Sequence, residues 1–391
     1  MALADRWLLP EGVREALPKE AKAIEQMRRQ LLDLFDTWGY ELIMPPMLEH
    51  LDALLTGVGG ELDVNTFKVT DQLSGRMLGV RADITPQAAR IDAHCMRSHT
   101  VNRLCYCGSV LHARTPEPLA SRNPLQIGAE LFGHSGMDSD LEVIALMVAT
   151  LQSASPDLEL SLDVGHVKVF TGLVEAIGLS DTDAATYLDM LERKSLPEIS
   201  SFVEQLSVPE AHKAWLHALP RLNGGVEALA EAKIVFESAP ASVLEAIDYL
   251  TSLASRIAAR FPALDLYFDL SELRGYNYHT GVVFAAYSPK HGQAVAKGGR
   301  YDKIGKDFGR ARPATGFSAD LKTLVDLASA QDAAKLLVRA PAGEDSRLQE
   351  KIASLRAQGK RVVQTLDGES EQNKCSAELV LQEGEWTLVS L

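Results

Sequence analysis

The sequence predicts an α+β fold: a largely antiparallel sheet with flanking helices, a helical insertion, and a small C-terminal α/β domain. Three observations carry this. Most strand-like segments are joined by loops too short for helical crossovers, which makes their neighbours antiparallel. From about residue 168 to 260 strand signals vanish, and amphipathic helices such as VEALAEAKIVF and SVLEAIDYLTSLASRIAARF follow one another. The final 61 residues, 331–391, read strand, helix, strand, strand, strand. The expected domains are therefore residues 1–167 with 261–330 as the main domain, 168–260 as the insertion and 331–391 as the terminal domain.

Each element follows from local pattern. PKEAKAIEQMRRQLLDLFDTWGY places Ile24, Met27, Leu31 and Phe35 on one helical stripe that ends at Gly39. ELIMPPMLE is a short extended segment stopped by Pro45 and Pro46. Residues 66–83 hold two strand-like pieces around DQLSG, which predicts a hairpin. RADITPQAARIDAH starts a helix with Thr85 as its cap and Pro86 at the first helical position. TVNRLCYCGSVLH and PLQIGAELFG are paired strands. DSDLEVIALMVATLQSA is a helix in which Ser139 and Glu142 would form a capping box. LELSLDVGHV alternates cleanly, and strands return with LDLYFDLSELRGYNYHTGVVFAAY and GQAVAKGG before DLKTLVDLASA closes the main domain.

Composition limits the function. With 391 residues and a net charge of −14, the surface repels polyanions on average, and no basic run exceeds short pairs such as MRRQ and GKRVV. Cys95, Cys105, Cys107 and Cys375 follow no zinc spacing, and Cys105 and Cys107 read as same-face core fillers. No cofactor or metal is expected. MALADRWLLPEG lacks a charged start followed by a long apolar run, so a cytoplasmic protein without membrane contact is expected.

Period-2 alternation then groups polar residues. In LQIGAELFG, Leu125, Ile127, Ala129 and Leu131 share one face and leave Gln126, Gly128 and Glu130 on the other, where Gly128 leaves space above the sheet. In LGVRADIT, Arg81, Asp83 and Thr85 fall at the same interval. Arg274 and Tyr278 lie four residues apart in ELRGYNYHTG. Carboxylates, an amide and a tyrosine around one pocket suit a small, cationic, hydrogen-bonding ligand such as an amino acid.

These segments resemble the class II aminoacyl-tRNA synthetase core, specifically the histidyl-tRNA synthetase family, over roughly residues 8–327. WGYELIMPPMLE is similar to the first family motif, which carries the dimer interface, and VNRLCYCGSVLHARTPEPLASRNPLQIGAELFG to the second. GGRYDKIGKDFGRARPATGFSADLKTL is similar to the region leading into the third, and ELRGYNYHTGVVF to the histidine-specific segment. The resemblance implies that Asp83, Thr85, Gln126, Glu130, Arg274, Tyr278 and His279 form a histidine-binding set. Asp83 stands where the family has glutamate, shortening the reach by about 1.5 Å. His279 replaces a tyrosine and Asn277 an aspartate.

The nucleotide half departs further. The family's arginine–any residue–glutamate–arginine becomes His112, Ala113, Arg114 and Thr115, and its glycine–leucine–glutamate–arginine becomes Asp320, Leu321, Lys322 and Thr323. Adenylation depends on preorganised cations at the α-phosphate, and losing one such donor costs about 3 kcal/mol in the transition state. The terminal 61 residues carry eight Lys/Arg against ten Asp/Glu, unlike the larger basic anticodon-binding domain of a synthetase. A retained amino-acid site beside a lost ATP site implies a catalytically silent paralogue of the kind that regulates ATP phosphoribosyltransferase, the first enzyme of histidine biosynthesis. That family further implies L-histidine as effector, a self-dimer, and a hetero-octamer of four plus four with the short-form catalytic subunit, without tRNA. The alternatives are an active histidyl-tRNA synthetase or another pseudo-synthetase.

Overall fold

The computed structural model describes residues 7–56, 60–114, 121–272, 278–306, 308–328, 337–367 and 375–391. Helix α1 (Pro18–Thr37) leads into strand β1 (Glu41–Leu42). Strands β2 (Leu48–His50), β3 (Phe67–Thr70) and β4 (Met77–Val80) form a small antiparallel sheet, with short helices α2 (Leu51–Leu54) and α3 (Gly60–Asn65) between them. Helix α4 (Thr85–Arg90) runs into a π-helical turn over Ile91–Met96. Next come β5 (Asn102–Ser109), β6 (Leu125–Phe132), α5 (Met137–Ala154) and β7 (Ser161–His166). Helices α6 (Val167–Ile177), α7 (Asp181–Glu192), α8 (Leu196–Gln205) and α9 (Glu210–Ala218) precede β8 (Asn223–Gly224), α10 (Val226–Val235) and α11 (Ala241–Arg260). The main sheet is completed by β9 (Asp265–Asp269), β10 (Val282–Ser288), β11 (His291–Arg300) and β12 (Ala314–Asp320), followed by α12 (Leu321–Leu327).

Nine strands lie in the order β1-β5-β6-β12-β11-β10-β7-β9-β8. Every pairing from β5 across to β7 is antiparallel, whereas β1–β5 and β7–β9 are parallel. The expected α+β class, with its mostly antiparallel sheet, is what the chain adopts. The helical run between β7 and β9 serves as the crossover that a parallel pair requires.

One face of the sheet packs against helices. Ile127, Ala129 and Leu131 of β6 and Phe317 of β12 sit in one core with Ile24, Leu31 and Phe35 of α1 and Val143, Ile144, Met147 and Leu151 of α5. Phe35 meets Phe317 edge-on at 6.1 Å. Burying each such side chain contributes about 1.5–3 kcal/mol. The opposite face is covered by a smaller cluster of Ile84, Ala88, Leu104, Tyr106, Phe132, Tyr301 and Ile304, with Tyr278 against it.

Four local expectations need correction. Thr85 is the first residue of α4, not its cap; Ile84 holds that position and its N–H donates to Gln126 Oε1 at 2.9 Å. The Ser139–Glu142 capping box does not form. Helix α5 begins at Met137, Ser139 Oγ lies 2.7 Å from the Gly136 carbonyl and accepts from Arg300 at 2.8 Å, and Glu142 takes a bidentate bond from Arg103. Residues 168–260 are not wholly helical, since β8 extends the sheet beside β9. Strand β4 ends at Val80, so the period-2 grouping of Arg81, Asp83 and Thr85 has no strand beneath it.

Arg300 joins β11 to the start of α5. Its Nη2 and Nε donate to Asp140 at 2.9 and 3.1 Å, and Nη1 donates to the His134 carbonyl at 3.1 Å. The chain forms two compact units, residues 1–329 and 330–391. The second unit contains β13 (Leu337–Ala340), α13 (Ser346–Ala357), β14 (Arg361–Gln364), β15 (Ala377–Gln382) and β16 (Glu385–Ser390). Its sheet order is β14-β13-β15-β16, and Val338, Leu348, Ile352 and Leu379 form its core.

Candidate functional site

Glu130 anchors the site. It projects from β6 on the face away from the main core, is 1% exposed, and sits opposite Gly316 of β12. Its Oε1 accepts from Thr85 Oγ1 at 2.8 Å and Tyr106 Oη at 3.0 Å, and its Oε2 from the Tyr301 hydroxyl. Burial pushes the carboxyl up to about 8, against the downward pull of the three hydroxyl donors, Tyr301 first. Burial and the nearby Glu130 charge push the Tyr106, Tyr278 and Tyr301 phenols well up, so these groups stay neutral donors.

A glycine floor permits this arrangement. The Glu130 carboxylate occupies the place a side chain at Gly316 would take. The Tyr106 hydroxyl covers Gly128, only 2.6 Å from a Cβ there, so the space expected above Gly128 is filled by a ring from β5. His279 Cδ2 stands 2.6 Å from a Cβ at Gly299, and Gly299 pairs with Gly316 across β11 and β12.

Beside Glu130 lies a second polar group. Asp83 Oδ1 accepts from Gln126 Nε2 at 2.7 Å and from the Thr85 N–H at 3.0 Å. Tyr278 stacks on Tyr301 at 5.0 Å and meets His279 edge-on at 5.2 Å. The Tyr278 hydroxyl is buried without a hydrogen-bond partner among the described residues. Thus Asp83, Thr85, Gln126 and Glu130 form one bonded group, and Tyr278 and His279 adjoin it through Tyr301 and the glycine floor. Arg274 and Asn277 lie outside the described residues.

Tyr106 and Tyr301 belong to the site but were not singled out from sequence. The signal for Tyr106 was its alternation with Cys105 and Cys107, which sends it to the face that Glu130 uses across the β5–β6 pair. Tyr301 directly follows the GGR run of β11.

The positions corresponding to nucleotide contacts are tied into the scaffold. His112 Nε2 lies 3.0 Å from the Ala82 carbonyl, and burial lowers its basicity. Asp320 caps α12, accepting from the Lys322 N–H at 3.1 Å and also from the Leu125 N–H at 3.0 Å. Lys322 Nζ donates to the Asn123 carbonyl at 2.7 Å. Arg114 is exposed, and Thr115 lies outside the described residues. A separate open cleft of about 460 Å³ is bordered by Trp38, Arg103, Asp138, Glu142, Arg256 and Arg260. Two of its arginines are already answered by carboxylates, Arg103 by Glu142 and Arg256 by Asp138.

Residues 12–324 match the family described as histidyl-tRNA synthetase, and residues 335–389 match the ATP phosphoribosyltransferase subunit HisZ C-terminal domain. An ATP phosphoribosyltransferase regulatory subunit of Stutzerimonas stutzeri is 51% identical over 100% of both chains. The chain belongs to the ATP phosphoribosyltransferase regulatory subunit family. Another member, from Alkalilimnicola ehrlichii, is 54% identical over 93% of this chain and 91% of its own. A crystal structure of an ATP phosphoribosyltransferase regulatory subunit/histidyl-tRNA synthetase from Bacillus halodurans superposes with a TM-score of 0.82 at 28% identity, covering 93% of this chain and 94% of that one. A histidyl-tRNA synthetase from a Nostoc species shares the fold, with a TM-score of 0.78 at 18% identity over 98% and 97% of the two chains.

Proposed function

We propose that this chain, as a regulatory subunit of ATP phosphoribosyltransferase, is a histidine sensor with no catalysis of its own. The observation that carries the reading is the buried Glu130 carboxyl, bonded to the Thr85, Tyr106 and Tyr301 hydroxyls, beside a Tyr278 hydroxyl that has no partner among the described residues. Burial keeps this carboxyl protonated up to about pH 8 in the ligand-free chain, and a cationic imidazole arriving beside it favours the ionised form that accepts its N–H. Asp83, already oriented by Gln126 and the Thr85 N–H, answers an α-ammonium. Arg274 supplies the complementary cation for the ligand's carboxylate, and Tyr278 and His279 complete the wall.

The absence of catalysis is supported by what holds the former phosphate-facing positions. A half-buried imidazole at His112 and a hydroxyl at Thr323, 3.5 Å from the Asp320 carboxylate, stand where the family has arginine. With Asp320 capping α12 and Lys322 bound to a carbonyl, no arginine fork meets a developing phosphate charge at these positions.

Feedback then follows from linkage. Histidine inhibits if it binds one arrangement of the complex more tightly than the active one, with a coupling of about 1–3 kcal/mol. The partner is the short-form catalytic subunit in a hetero-octamer of four plus four. The regulatory chains pair with each other around β1, where Leu42, Met44, Met47 and Leu48 are exposed. No helix among the described residues is long and apolar enough to cross a membrane, and we place the complex in the cytoplasm.

Mixing the purified chain with a short-form ATP phosphoribosyltransferase tests this directly. Stimulation reversed by histidine is the expected result. Absence of stimulation, or clear histidine-dependent ATP–pyrophosphate exchange by the chain alone, overturns it.

A further inference from the structure

Helix α7 ends in a Schellman motif: Ser195 N–H donates to the Met190 carbonyl and Lys194 N–H to the Leu191 carbonyl, both at 3.0 Å. The residue at its turn must be left-handed, a conformation glycine adopts without strain and other residues do not. The ends of α1, α6 and α13 use Gly39, Gly178 and Gly359 there, with φ of 78°, 74° and 75°. Helix α7 uses Lys194 instead, at φ 51°. An observed backbone outlier calls for a reason.

The side chain supplies one. Lys194 Nζ pairs with the Asp269 carboxylate and donates to Ser271 Oγ at 2.8 Å. Asp269 is itself fixed, its Oδ1 accepting from the Ser271 N–H at 2.9 Å and from Ser271 Oγ at 2.7 Å. These residues end β9 and pack tightly on β7, since a Cβ at Gly165 would stand 3.0 Å from the Asp269 carbonyl oxygen and 3.3 Å from that of Glu272. A few residues further on, Tyr278 stacks on Tyr301, whose hydroxyl bonds Glu130.

Resting on the histidine reading of the pocket, we propose that Lys194 is a positioning residue for it. Lys194 latches the turn between α7 and α8 to the strand end that leads into Tyr278, and so links the helical segment energetically to amino-acid binding.

The test is Lys194→Gly in the full chain, with free L-histidine titrated by calorimetry and the thermal midpoint measured in parallel. Glycine relieves the left-handed turn while removing the latch, so the two readouts should separate. The midpoint should stay at or above the parent's, while histidine affinity falls about fivefold or more, the lower end of ordinary site-to-site coupling. Unchanged affinity overturns the proposal, as does a loss of affinity accompanied by a lower midpoint, which marks a purely structural lysine. Glu130→Gln is run alongside. If it binds histidine like the parent, the pocket reading fails and the latch falls with it. If it loses binding while Lys194→Gly does not, the latch alone is wrong.

Discussion

Gly316 and Glu130 share one volume: the carboxylate of β6 lies where the side chain of its cross-strand neighbour on β12 would be. Gly316→Ala should therefore displace Glu130 from its hydroxyl donors. Overpacking of this kind costs about 1–3 kcal/mol. The expected result is a lowered thermal midpoint together with loss of histidine binding in calorimetry. Retained binding would mean that Glu130 is not the acceptor.

Tyr278→Phe should act in opposite directions on stability and binding. A buried donor without a partner costs about 1–3 kcal/mol, so deleting the Tyr278 hydroxyl should stabilise the ligand-free chain by about 1 kcal/mol. If that hydroxyl meets the amino acid, histidine affinity falls about tenfold, equivalent to about 1.4 kcal/mol. Denaturant melts and calorimetry on the same preparation separate the two.

The pH dependence has a defined sign. Glu130 titrates near 8 when folded, above its ordinary 4.5, so between those values the folded chain holds a proton the unfolded chain has released. Stability from this group is present in full below about pH 4.5 and is lost as pH rises towards 8. His166, lowered by burial to about 4 from 6.5, has the opposite slope and adds stability as pH rises through that range. Comparing thermal midpoints of parent and Glu130→Gln from acid to mildly alkaline pH isolates the Glu130 contribution. The falling slope should disappear in the variant, and equal slopes would contradict the assigned shift.

Arg300→Met leaves Asp140 as a buried carboxylate without its cation, because their side chains are 7% and 0% exposed. Breaking such a pair from one side costs about 3–5 kcal/mol. Chemical denaturation should show a loss of that size.

Asp320→Ala tests whether a former nucleotide position has become structural. It removes the α12 cap and the acceptor for the Leu125 N–H, a loss of about 1–2 kcal/mol. Histidine affinity should be unchanged, since the Asp320 side chain bonds Leu125, Lys322 and Thr323 and none of the side chains around Glu130.

Alternation alone determined which face of residues 125–131 would carry Gln126 and Glu130, because a strand's side chains have period 2 and the apolar set must enter the core. Likewise the stripe of Ile24, Met27, Leu31 and Phe35 determined how α1 packs, and His112 and Thr323 were legible as departures where a phosphate would need arginine. The local sequence around Thr85 offers it the role of a cap, and only the folded chain brings the competing acceptor Glu130 within 2.8 Å. Tyr106 and Tyr301 entered the site for the same reason: one hydroxyl crosses from β5 and the other arrives from just beyond β11, two strands away from β6 in a sheet whose order no local pattern encodes. Periodicity assigns a residue to a face. Which distant groups meet there, and which hydroxyl is left without a partner, was decided by strand order and by three glycines that let side chains lie flat across the sheet.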